Sequence, residues 1–121
     1  MSTLRVNSLL NAAGTDTPAI DGLAKAWVNF NGTGTVAIRQ AFNVSSITDR
    51  GLGSFTVNLT TSMQDTNGAL SASGGRYSNG NLIPVQGPQV QMSTTSNILV
   101  ECGSDSVTRN DWQDIYVTVF R

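Results

Sequence analysis

Four carboxylates flank or sit within one short stretch, residues 103–114: Glu101, Asp105, Asp111 and Asp114. Two carboxyl groups facing each other across a glycosidic bond can hydrolyse it, one as acid and one as base or nucleophile. Aspartates in Gly-, Ser- and Asn-rich segments more commonly hold turns together through backbone N–H groups, and that role is expected here. The chain contains no histidine. That removes Ser-His-Asp and Cys-His nucleophilic machinery and the common zinc sites. Cys102 is the single cysteine and follows an apolar run, so it reads as a small buried hydrophobe rather than a reactive thiol. Asp65-x-Asn67-Gly68 matches part of a calcium loop but lacks the later ligands and the closing glutamate, and Asn110-Asp111 with Asp114 is equally partial. Gly32-x-Gly34 is followed by no helical pattern, so it is not a phosphate loop. The chain is therefore expected to be no enzyme, with no catalytic residue, no cofactor and no metal.

Side chains suited to binding stand out more clearly. Trp112 lies between Asp111 and Gln113, where a flat aromatic could stack on a sugar or anchor a partner. Arg76-Tyr77 has the same character within the glycine-rich stretch 74–81, which reads as a long loop. The competing expectation is that these aromatics fold back as loop anchors. Trp27 alternates against Ala26, Val28 and Phe30, which puts it on the opposite sheet face, at a subunit interface or under a second layer of core.

The elements that must carry these residues are strands. Ala26, Val28 and Phe30 alternate with polar positions, and Asn31-Gly32 with Gly34 then marks a hairpin turn. Val36, Ile38, Phe42 and Val44 form the return strand. Thr48–Gly53 is a second turn region. Phe55, Val57 and Leu59 alternate with Thr56, Asn58 and Thr60 as a half-buried strand. Asp65–Gly68 is a turn, Ala69–Ser73 a weak strand, and Leu82, Val85, Val90 and Met92 suggest irregular edge strands interrupted by Pro84 and Pro88. Ile98–Cys102 and Ile115–Phe120 are strands around a loop from Gly103 to Asp114. Six to eight short strands with turns about every ten residues predict an antiparallel β-sandwich or jelly-roll.

Composition agrees. The chain has 121 residues and 12% charged residues, about half the usual share. Lys25 is the only lysine and Glu101 the only glutamate, so long exposed helices are not expected. A net charge of −1 gives no electrostatic case for nucleic acid or an anionic membrane as partner. One cysteine permits no intrachain disulfide. No signal peptide is expected at the start, and no run approaches bilayer-spanning length. Residues 1–23 differ from the rest. Leu4, Val6, Leu9 and Leu10 are apolar, Gly14 and Pro18 punctuate the segment, and an extended arm or a weak helix over Thr3–Ala13 are both open. So short an apolar arm cannot bury itself and is expected to dock on a neighbour. Residues 24–121 are the sandwich domain.

The run Ala26-Trp27-Val28-Asn29-Phe30-Asn31-Gly32-Thr33-Gly34-Thr35-Val36-Ala37-Ile38-Arg39 resembles a domain of bacteriophage tail-fibre and related virion proteins. Phe42–Asp49, Phe55–Thr61 and the closing Val117–Arg121 resemble it too, as does the opening Ser2–Asn7 with Ala12–Thr15. The resemblance spans roughly residues 2–63 and 98–121; residues 66–97 match no pattern of that family. The Pro-Asp pair usual after the central strand is absent, since Met63-Gln64-Asp65 stands there. The resemblance implies a homotrimer in a virion assembled in the bacterial host cytoplasm, with other phage tail or capsid proteins as partners. It implies host attachment, with capsid decoration or a head fibre as the alternative. For attachment, Arg76, Tyr77, Arg109, Asp111 and Trp112 are the expected contacts to host-surface polysaccharide. Leu4, Val6, Leu9, Leu10 and Trp27 are the expected oligomer or docking contacts. No nucleic acid and no membrane insertion are expected.

Overall fold

The computed structural model describes residues 2–3, 5, 23–78, 81–83, 87–103 and 108–121, with the backbone alone for 76–78 and 81–83. The described residues contain β-structure and no helix: β1 (Ala24–Asn31), β2 (Ala37–Phe42), β3 (Val44–Gly51), β4 (Ser54–Leu59), β5 (Ala69–Ser78), β6 (Asn81–Ile83), β7 (Gln89–Thr94), β8 (Asn97–Glu101) and β9 (Asp114–Phe120). They form two antiparallel sheets, ordered β2-β1-β9-β5-β6 and β3-β4-β8-β7, and the sheets pack as a β-sandwich.

The period-2 pattern places the core. Ala26, Val28 and Phe30 on β1 register with Val119, Val117 and Ile115 on β9. Across the sandwich, Phe55 and Val57 on β4 register with Val100 and Ile98 on β8. All of these side chains are buried in one cluster. Phe30 and Phe55 join the sheets edge to face, with ring centroids 5.4 Å apart and planes at 76°. Such a pair contributes about 0.5–1.5 kcal/mol beyond its buried area.

Three expectations need correction. The turn expected over Thr48–Gly53 is confined to Leu52 and Gly53, because Thr48–Gly51 continue β3 and pair with β4. The return strand Val36–Val44 is two strands, because the chain leaves the first sheet after Phe42 and enters the second at Val44. Asn43 makes that corner at φ 55°, a left-handed conformation that asparagine tolerates. Its Nδ2 donates to the carbonyls of Lys25 and Thr61, and its Oδ1 accepts from the Thr61 N–H at 2.7 Å. The stretch 74–81 is not a long loop. Gly74 and Gly75 pair with Ile115 and Asp114, and Arg76, Tyr77 and Ser78 pair with Ile83, Leu82 and Asn81. Glycine and serine have weak strand propensity, but a ladder to β9 overrides it.

Candidate functional site

The alternation that buries Val28 and Phe30 turns Trp27 and Asn29 to the outer side of the first sheet. On β9 the same alternation turns out Tyr116, Thr118 and Phe120. Register brings these together: Trp27 faces Phe42 on one side and Thr118 on the other, while Asn29 lies between Gln40 and Tyr116. Trp27, Phe42, Tyr116 and Phe120 are between 36% and 49% exposed, so one face of one sheet holds an open aromatic patch. A bulge opposite Asn29 and Phe30 makes Arg39 an extra residue of β2 and aims it along this face. Its guanidinium donates to Asn29 Oδ1 at 3.0 Å and to the Gln113 carbonyl at 2.6 Å, and pairs with Asp114 at 3.1 Å.

The outer face of the second sheet is of opposite character. Thr94 Oγ1 donates to Asn97 Oδ1, Asn97 Nδ2 to Asn58 Oδ1, and Asn58 Nδ2 to both Ser46 Oγ and Thr48 Oγ1, at 2.8–3.0 Å. This ladder crosses β7, β8, β4 and β3 without a charge. It ties the two amides to one another and to the hydroxyls of Ser46, Thr48 and Thr94, and such lateral pairs each contribute some tenths of a kcal/mol.

Most of the chemistry-bearing residues of 101–114 serve the fold. Arg109 grips Glu101 with both carboxylate oxygens within 2.9 Å, and its backbone bridges to Gly103. Asp111 Oδ1 accepts the Gly53 N–H at 2.8 Å. Asp114 opens β9 beneath Arg39. Asp105 lies outside the described residues. Trp112 is a correction: it is fully buried, among the largest core side chains, and is no surface contact. The bend at Gln113 turns it inward, and the Gly32 N–H fixes its carbonyl at 2.8 Å. Cys102 is buried as expected, and that burial, reinforced by Asp111 and Glu101, pushes its thiol up to about 12. Arg76 and Tyr77 have placed backbones in β5, but their side chains lie outside the described atoms. Leu4, Val6, Leu9 and Leu10 also fall outside the described residues. Among the described residues no three His, Cys, Asp or Glu side chains gather as a metal site would require.

The turn Asp65–Gly68 has a definite job. Asp65 accepts from Arg121 Nε at 2.8 Å and Nη2 at 2.7 Å, and from the Asn67 N–H at 2.9 Å. Those bonds hold its carboxyl well below the usual carboxylate range, the Arg121 pair first. A depressed folded-state pKa contributes stability above the unfolded value, near 4, and loses it as pH falls through the folded value. Asp65→Asn should therefore be less stable than the wild type near neutral pH. The gap should close as the pH drops below about 4 in urea titrations, and a gap independent of pH would overturn this.

No protein-family model matches the chain, and no curated protein or solved structure matches it. The aromatic face is thus read from its own geometry. Flat apolar rings flanked by amides and one ion pair can bury against another surface. The described carboxylates, tied to arginines or backbone, are set up for structure.

Proposed function

We propose that this chain is a non-catalytic structural protein of a bacteriophage virion, a homotrimeric module of the tail-fibre type used in host attachment. The observation that carries the proposal is the aromatic face on the first sheet, formed by strands that hold the tail-fibre-like runs Ala26–Arg39 and Val117–Arg121. A sandwich with an open face on one sheet and loops at its ends suits attachment and assembly. The commitment of Glu101, Asp65 and Asp114 to arginines supports a role without turnover. For attachment, the receptor contact is proposed on Arg76 and Tyr77 in the β5–β6 hairpin, with Arg109 between β8 and β9.

One observation favours the second reading, capsid decoration. Of the five side chains expected to meet a host surface, Trp112 is in the core and Asp111 is engaged by Gly53. The experiment is binding of the purified full chain to bacterial cells and their isolated surface polysaccharides. Attachment predicts saturable binding that Arg76→Ala with Tyr77→Ala weakens at least tenfold. Absence of binding from an intact trimer across the cell panel would overturn attachment and assign the chain to decoration.

A further inference from the structure

We infer that the outer face of β2, β1, β9 and β5 is the surface on which copies of this chain meet, with Trp27 at its centre. The inference rests on the homotrimer proposed above and deepens it by naming the face. Three observations lead to it.

The first is composition. Trp27, Phe42, Tyr116 and Phe120 cluster by strand register, all exposed by a third to a half. The centre of the cluster carries no charge, and Arg39 with Asp114 stands at one end. An aromatic, charge-depleted centre with ionic groups at the margin is the anatomy of a protein–protein interface.

The second is area. Four strands about 4.8 Å apart, each about six residues long, make a face of roughly 400 Å² in projection. Side chains standing up from it raise the accessible area toward the ~800 Å² that each partner gives to a stable interface. An apolar patch of a few hundred Å² is often a functional surface.

The third is the contrast with the other outer face. There, Asn58 and Asn97 spend their amides on Ser46, Thr48 and one another. The sandwich has one face finished for water and one that is not. A second copy is the occupant because the aromatic centre holds no charged side chain and the Arg39–Asp114 pair at its margin is neutral, so three identical faces can turn toward one axis without opposing net charge.

The test is sedimentation of the full chain over a wide concentration range, for the wild type and for Trp27→Lys and Tyr116→Lys. Gln91→Lys, on the finished face, is the control, and Phe42→Ser is the milder variant should a lysine prevent folding. The wild type and Gln91→Lys should sediment as trimers. The Trp27 and Tyr116 variants should keep their β-sheet circular dichroism while the apparent dissociation constant rises at least ~30-fold, as for loss of a central aromatic anchor. Folded variants that remain trimeric would overturn the assignment of this face and leave the trimer standing. A wild type that stays a single copy throughout would overturn both. In that case, a shift of tryptophan fluorescence on adding polysaccharide would reassign the face to glycan, and a stability loss on deleting residues 1–20 would reassign it to the chain's own arm.

Discussion

Trp112→Ala should destabilise the protein by about 3–5 kcal/mol, the range for removing a large aromatic from a core. A domain of this size has only about 5–15 kcal/mol in total, so a substantial fraction could unfold under mild conditions. The cause is the space left behind. Trp112 is fully buried at the end of the sandwich where the β1–β2 turn and β5 converge, and alanine would leave that end empty. The Gly32 N–H would keep its bond to the residue-112 carbonyl, so the loss is one of packing. Urea unfolding measures the change directly. Cys102 gives an independent readout, because a buried thiol pushed up to about 12 reacts with iodoacetamide only when the chain opens. Labelling should be slow in the wild type and much faster in Trp112→Ala. An unchanged urea midpoint with Cys102 still protected would contradict this placement of Trp112. Trp112→Phe should cost much less. It keeps most of the ring and removes an indole nitrogen that is buried without a hydrogen-bond partner among the described residues.

Gly53→Ala should cost about 2–4 kcal/mol, combining ~1 kcal/mol for a left-handed backbone with ~1–3 kcal/mol for overpacking. Gly53 has φ 64°, and a Cβ there would stand 2.4 Å from the Cys102 carbonyl oxygen and 2.7 Å from the Asn110 nitrogen. Both are backbone atoms and cannot swing aside. The Gly53 carbonyl also accepts from Cys102 and its N–H donates to Asp111, so a shift would disturb both bonds. Gly34 is the matched comparison. Its φ is 60°, but a methyl group there would meet nothing within 4 Å, so Gly34→Ala should cost only the ~1 kcal/mol of backbone strain. Thermal melts should show Gly53→Ala lowered by roughly 10 °C and Gly34→Ala by a few degrees. Equal shifts would mean that crowding at Gly53 contributes nothing.

The centres of the sheets were legible because their residues alternate without interruption. Val28 and Phe30, Phe55 and Val57, and Val117 and Val119 each announce a buried side and an open one, and the structure follows them. The same rule exposed Trp27. Alternation failed where the backbone changes direction without changing the pattern. Val36 to Val44 reads as one strand because the corner at Asn43 leaves apolar residues on both sides of it. Trp112 failed for the converse reason. It is out of phase with Ile115, Val117 and Val119 and sits between polar neighbours, so period 2 assigns it nowhere. The remaining clue was its size, since so large an apolar side chain has most to gain from burial. The aromatic face was only part-visible, because Phe42 and Phe120 join Trp27 through strand register, which a single strand's pattern does not contain.

The pairing of β1 with β9 imposes an order on biosynthesis. β9 follows the other eight described strands, yet it lies between β1 and β5 in the middle of the first sheet. Until residues 114–120 leave the ribosome, that sheet is two separate pieces, β1 with β2 and β5 with β6. Val28 and Phe30 then have no neighbour on one side, and the ladder from Ala69 to Gly75 has nothing to pair with. Closing the sheet means joining strands that lie far apart in the chain, a slow step for non-local strand pairing. Nascent chains therefore carry open strand edges through the synthesis of this domain, a hazard for aggregation that ends only when β9 slots into place.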